Sequence, residues 1–283
     1  MSDQTPRQRA LSRAEAVENN LTAIRPLWKE QADHFLPGSY QGNASDARVY
    51  DFPADIVTGH GYEAREVFGA GLASGMTSPA RPWLNLGVEK FLTQQSGRVQ
   101  RWLHHFQETM FRVFQRSNIY DVLPQYYQML GTHGTATLWT DEDEADTIRC
   151  YVFPMGTYAL ALSARLDVDT IVRRLQMTVG QVVEAFGLEV CSERVRNQWT
   201  RELFNETVDI IHMVEPNRDR VAGVQDHRGM PFSSLWIELG SDKPGFLRES
   251  GYREQPFSAT RWHVYGNQPY GRGLGYYALP DSR

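Results

Sequence analysis

The feature that most constrains this chain is a change in the spacing of its apolar residues. In the first part they recur every three or four positions. Ala14, Val17, Leu21, Ile24, Trp28, Ala32 and Phe35 form one such stripe, with charged residues on the other side. That spacing puts them on one face of a helix. In the later part, the runs TIRCYVFP, YALALSA and VDTIVRRLQM are short and β-rich, and turn signals such as Met155-Gly156 and Leu166-Asp167 separate them. These read as strands of an antiparallel meander. The chain therefore reads as α+β: N-terminal helices followed by a mixed, mainly antiparallel strand-rich region.

The first stripe predicts one helix over about Ser12–His34, ended near Pro37-Gly38. YQGNASDARVYDFPADI reads as an irregular connection, and a helical pattern resumes from about Thr58 to Ala73 despite four glycines. TSPARPW is a stop, because Pro79 and Pro82 restrict the residues before them. Val99, Leu103, Phe106, Met110, Val113 and Phe114 predict a helix between Gly97 and Asn118, paired with a second over about Tyr120–Thr132. Further on, Thr178 is an N-cap and Gly187 a stop for TVGQVVEAFG. A short helix over Ser192–Phe204 precedes strands at TVDIIHMVEP, SSLWIEL and TRWHVY. The expected division is a mainly helical part, 1–140, and a strand-rich part, 141–283, of one region.

With 283 residues and 41% hydrophobic content, the chain has enough apolar material for a sizeable core. No run approaches the roughly 18 apolar residues of a membrane span, and MSDQTPRQRALSRAEAVENN lacks the apolar core of a signal peptide. Folding in the cytoplasm is the expectation. Cys150 and Cys191 form neither a C-x-x-C pair nor a disulfide framework. A net charge of −5 argues against a surface that grips nucleic acid tightly, since such binding draws on many cationic contacts to phosphate.

Each stretch that resembles a reactive site has a plainer explanation. The eight histidines contain no H-E-x-x-H motif and no zinc-type spacing with cysteine, and neighbours His104 and His105 diverge on a helix. DEDEAD, Asp141–Asp146, lacks the glycine and distal glutamate of a calcium loop and reads as a solvated loop between strands. GAGLASG, Gly69–Gly75, follows a helical pattern rather than a strand, so it fails as a dinucleotide fingerprint and reads as small residues for close helix packing. Ser74 stands in the wrong position for a nucleophile elbow. Arginines 173, 174, 194, 196 and 201 are offset by nearby glutamates. The residues alone assign no catalytic, cofactor-binding or metal-binding position and leave function undecided.

Four ordered blocks nevertheless resemble the head-to-tail connecting (portal) proteins of short-tailed bacteriophages. They are LASGMTSPARPWLNL, LGTHGTATLW, VRRLQMTVGQVVEAFG and FSATRWHVYGNQPYGRGLGYYALPD. The similarity runs from the first helix to the last residues. Leu274 departs from it, because the family commonly has proline after Y-G-x-G. Trp83, Trp262 and Tyr270 stand in these blocks as expected packing anchors.

The resemblance implies a ring at one capsid vertex that admits and releases double-stranded DNA without reading its sequence. Implied partners are further copies of the chain, the terminase large subunit, a capsid or scaffold protein, and a tail adaptor. The implied location is the virion, assembled in the host bacterial cytoplasm. The matching region resembles the outer, wing-like part and the approach to the stem. Gly271, Gly273 and Gly275 are then expected to adopt φ > 0 in a turn feeding a helix that lies beyond the chain, which would be a C-terminally shortened form. The isolated chain is expected to be a monomer or weak oligomer. The alternatives are a phage adaptor that forms no channel, a prophage remnant, and a nucleotide-binding enzyme using Gly71 or Gly273.

Overall fold

The computed structural model describes residues 5–42, 59–87 and 97–282. Most of the connection expected over 40–56 lies outside the described residues, as does Thr58. Helix α1, Pro6–Asn19, starts at a reciprocal cap. Thr5 Oγ1 accepts the Gln8 N–H at 3.2 Å, and Gln8 Oε1 accepts the Thr5 N–H at 2.9 Å. Asn20–Ile24 then turn, and α2 runs over Arg25–Phe35 with Pro26 in its first turn. The single helix expected over Ser12–His34 is thus two. Pro26 has no N–H to continue a helix from the preceding turn, but it fits the start of a new one. The apolar stripe survives because both helices bury the same side.

Helix α3 spans His60–Met76, α4 Gly97–Arg116 and α5 Ile119–His133. Gly134 ends α5 in the left-handed conformation, φ +76°. Strands β1, Thr135–Asp143, and β2, Thr147–Val152, form a hairpin tipped by the acidic segment. Strands β3 (Tyr158–Leu162), β4 (Val168–Thr178), β5 (Thr207–Pro216), β6 (Phe232–Glu238) and β7 (Arg248–Tyr252) follow, then β8, Phe257–Arg261. β3 to β7 form a five-stranded antiparallel meander in chain order, while β2, β1 and β8 form a separate three-stranded sheet. β2 therefore does not join β3 and β4 as expected. The strand expected at TRWHVY lies a few residues earlier, and neither β1's start at Thr135 nor β7 was anticipated.

The two sheets, α1, α2 and α5 share one core. Trp28, Tyr158, Leu160, Ile171, Ile211 and Met213 are among its most enclosed large side chains. Between β4 and β5 the chain forms α6, Val179–Phe186, and α7, Glu193–Thr200. Their Val179, Val182 and Val195 make a second cluster with Val208, Ile210 and Leu247. As expected, Thr178 and Gly187 bound α6. Thr178 Oγ1 accepts the Gln181 N–H at 3.3 Å, and Gln181 Oε1 accepts the Thr178 N–H at 2.9 Å. Thr178→Ala should cost about 1 kcal/mol, read as a lower urea midpoint at unchanged slope. No change in midpoint would show that the second cluster holds α6 without its cap.

Candidate assembly surfaces and the C-terminal joint

The C-terminal glycines are held against the end of α5. Tyr270 is buried edge-on to Trp28, with ring centroids 4.8 Å apart, and its hydroxyl accepts the Leu160 N–H at 2.9 Å. Next to it, the Gly271 N–H donates to Thr135 Oγ1 at 2.8 Å, and the Trp262 N–H donates to the Gly134 carbonyl at 2.8 Å. Gly271, Gly273 and Gly275 do not have positive φ, which corrects the expected reason for them. What excludes a side chain is proximity. A Cβ on Gly273 would lie 2.5 Å from Gly134 N, and one on Gly275 would lie 2.5 Å from Thr132 O. The helix they feed begins within the chain, as α8, Leu274–Ser282. In the same turn the Gly271 and Arg272 N–H groups are taken by Thr135 Oγ1 and the His263 carbonyl, so these two donors are not turned toward a phosphate.

The remaining sequence candidates resolve into packing. GAGLASG lies inside α3, where Gly69 meets the Gln128 side chain but Gly71 and Gly75 face open space. Close packing therefore explains only Gly69 of those three. Ser74 Oγ donates to the Gly71 carbonyl of its own helix at 3.2 Å. Trp83 stacks on Phe114 at 5.8 Å and donates Nε1–H to Tyr120 Oη at 3.2 Å, and Trp262 meets Phe68 edge-on at 5.8 Å. At the hairpin tip, Asp143 accepts the Asp146 and Ala145 N–H groups and Arg149 Nε. The Asp146 N–H, then Arg149, hold its carboxyl below the usual range.

Two histidines are buried. His133 Nε2 lies 2.8 Å from Ser39 Oγ, and burial drives its pKa down to about 3. His212 stacks on Trp236 at 3.9 Å, with Nε2 at 3.0 Å from Ser234 Oγ. Burial, then the nearby Arg173 cation, push it well below the ordinary histidine value. The Arg173 guanidinium sits 3.6 Å above the Phe153 ring. Among the described residues no cluster of three or more His, Cys, Asp or Glu side chains is placed to hold a metal ion. None of their helices is long and apolar enough to cross a membrane.

The outer surface is less completely packed. Helix α4 buries none of its residues fully. Leu103, Met110, Phe111 and Phe114 are half-covered, whereas Trp102 and Phe106 are 62% and 47% exposed and stack on each other at 5.6 Å. Of the expected stripe, Phe106 and Val99 thus face outward. Trp102, outside that stripe, was legible only as an aromatic displaced to its edge.

Glycines used for close backbone packing and an exposed aromatic pair on α4 are features of a chain that packs tightly and offers a surface for contact. The chain belongs to the bacteriophage head to tail connecting protein family, whose family model matches residues 7–283. It is 37% identical over 268 residues to the portal protein of Salmonella phage epsilon15, covering 94% of this chain and 48% of that protein. It is 34% identical over 284 residues to the probable portal protein of Bordetella phage BPP-1, covering 100% of this chain and 51% of that one. The chain spans about half the length of these curated relatives.

Proposed function

We propose that the chain supplies the wing-like part of a phage portal, with residues 1–140 and 141–283 as its helical and strand-rich parts. The observation that carries this reading is the family match over residues 7–283, joined by two relatives named as portal proteins. The assembled ring sits at one capsid vertex of the virion, passes double-stranded DNA without reading its sequence, and engages terminase, capsid or scaffold protein and a tail adaptor. Its action is geometric rather than enzymatic. A ring of one chain needs two different complementary surfaces, because each contact is head-to-tail and closes by rotation. The internally bonded N–H groups of the glycine turn and the buried His133 and His212 support a non-catalytic role.

An affinity-purified antibody against the chain should label a single vertex of each virion in electron micrographs. Labelling spread evenly over the capsid, confined to the tail, or absent from virions would reject the reading.

A further inference from the structure

The exposed seam on α4 has a basic flank. Successive residues on a helix turn by roughly 100°, so Arg101, His105 and Arg112 run beside the Trp102–Phe106 row while Phe111 and Phe114 turn inward against Trp83. The helix carries four arginines and one glutamate; that Glu108 lies on the basic flank, one turn from Arg112, with its carboxylate 3.3 Å from His104. Arg101 and Arg112 reach only hydrogen-bond acceptors of their own helix and form no salt bridge among the described residues. An aromatic pair this exposed, bordered by more cations than carboxylates, is a surface shaped for an acidic, partly apolar partner.

Such a partner surface exists on the same chain. A groove of about 810 Å³ lies between the β1–β2 hairpin, the end of β7 and the approach to β8. Asp141, Glu142 and Glu254 supply its carboxylates, and Met230, Tyr252 and Pro256 its apolar lining. Arg253 is the only Lys or Arg lining it. None of the three carboxylates forms a salt bridge among the described residues.

The chain's own seam does not fill this groove. Arg116, at the C-terminal end of α4, donates to the Ala145 carbonyl at 3.0 Å, which places that end at the chain's own hairpin tip. Trp102 lies 14 residues earlier, about 21 Å back along the helix at 1.5 Å per residue. Seam and groove are complementary, occur once each among the described residues, and are held apart by a rigid helix. That is the geometry of a heterologous contact, in which each copy offers one half to each neighbour.

We propose that the Trp102–Phe106 seam of α4, with Arg101 and Arg112 beside it, docks head-to-tail into the Asp141–Glu142–Glu254 groove of a second copy of the chain. The inference rests on the assembly reading above and names the surfaces that serve it. Aromatic burial supplies most of the affinity, and the charges set orientation and salt sensitivity.

The test is sedimentation velocity of the full chain over a wide concentration range. The wild type should self-associate weakly, and less so at 1 M than at 0.1 M salt, because the Debye length falls from about 10 Å to about 3 Å. Trp102→Asp and Glu142→Lys should each raise the dissociation constant by about tenfold or more. Val67→Asp, at a 73% exposed position on α3, should leave it unchanged. Mixing the two disabled chains should restore association, but only to a 1:1 pair, since one retains the seam and the other the groove. A monomeric wild type overturns the inference. So does unaltered association in both single variants, or a mixture that stays dissociated. Loss of DNA retention by Trp102→Asp without any change in self-association would assign the seam to nucleic acid and also overturn it. Each of these results leaves the single-vertex labelling untouched, so failure of this contact is separable from failure of the portal reading.

Discussion

Gly134→Ala is expected to destabilise the chain by about 2–5 kcal/mol, the sum of left-handed backbone strain and overpacking. Gly134 has φ +76°, and a Cβ there would lie 2.6 Å from Arg272 Cα as well as against the Gly273 nitrogen and the Arg272 carbonyl carbon. The obstruction is backbone, fixed by Tyr270 on one side and α8 on the other, so no side chain can rotate away. Gly71→Ala is the matched control. It is helical, faces open space and should raise stability by about 0.4–1 kcal/mol. Chemical denaturation of both variants reads the two signs directly. A Gly134→Ala loss below about 1 kcal/mol would mean that the α5–α8 joint yields easily, and the close-approach account of the C-terminal glycines would have to go.

The second large effect is acid sensitivity. Folded His133 titrates at about 3, against roughly 6.5 for an unfolded histidine. Between those values the unfolded chain binds the extra proton, so this contribution is complete above pH 6.5 and is lost as pH falls toward 3. At pH 5 the loss is about 2 kcal/mol for such a histidine, and His212 acts in the same direction. Protonation would bury a charge whose Nδ1 has no partner among the described residues. In His133→Gln, the stability lost between pH 7.5 and pH 5 should shrink by about 2 kcal/mol relative to the wild type. Equal losses in the two proteins would show that His133 is hydrated or displaced before global unfolding.

Much of the fold was legible because local chemistry agreed with tertiary need. The α4 and α5 stripes, the Thr178 cap, the Gly187 stop and the strand at 207–216 all lie where their side-chain periods put them. The break between α1 and α2 was hidden because the apolar spacing runs through it, and Pro26 alone signalled it. β1 was obscured by burial, since Thr135, Ala136 and Thr137 are all enclosed and leave no alternation to read. β7, with the sequence RESGY, is an edge strand that owes its place to pairing with β6 rather than to a pattern of its own.

The candidate surfaces divide along the same line. Residue order alone placed an apolar stripe on α4 and an acidic loop between strands at 141–146, and the four similar blocks identified the family. It did not separate the half of the α4 stripe that packs on Trp83 from the half that faces outward, because helical spacing records a face but not its neighbour.

What the sequence by itself determined is most of the helices, several strands and the family, since these rest on residue type and spacing along the chain. What only the tertiary structure decided is which sheet β2 joins, why the C-terminal glycines are required, and where on the surface the α4 aromatic pair and the acidic groove lie. The glycine joint depends on segments more than a hundred residues apart meeting in space, as Gly271 meets Thr135 and Tyr270 meets Leu160, whereas β2 is drawn out of the meander by its hairpin with β1.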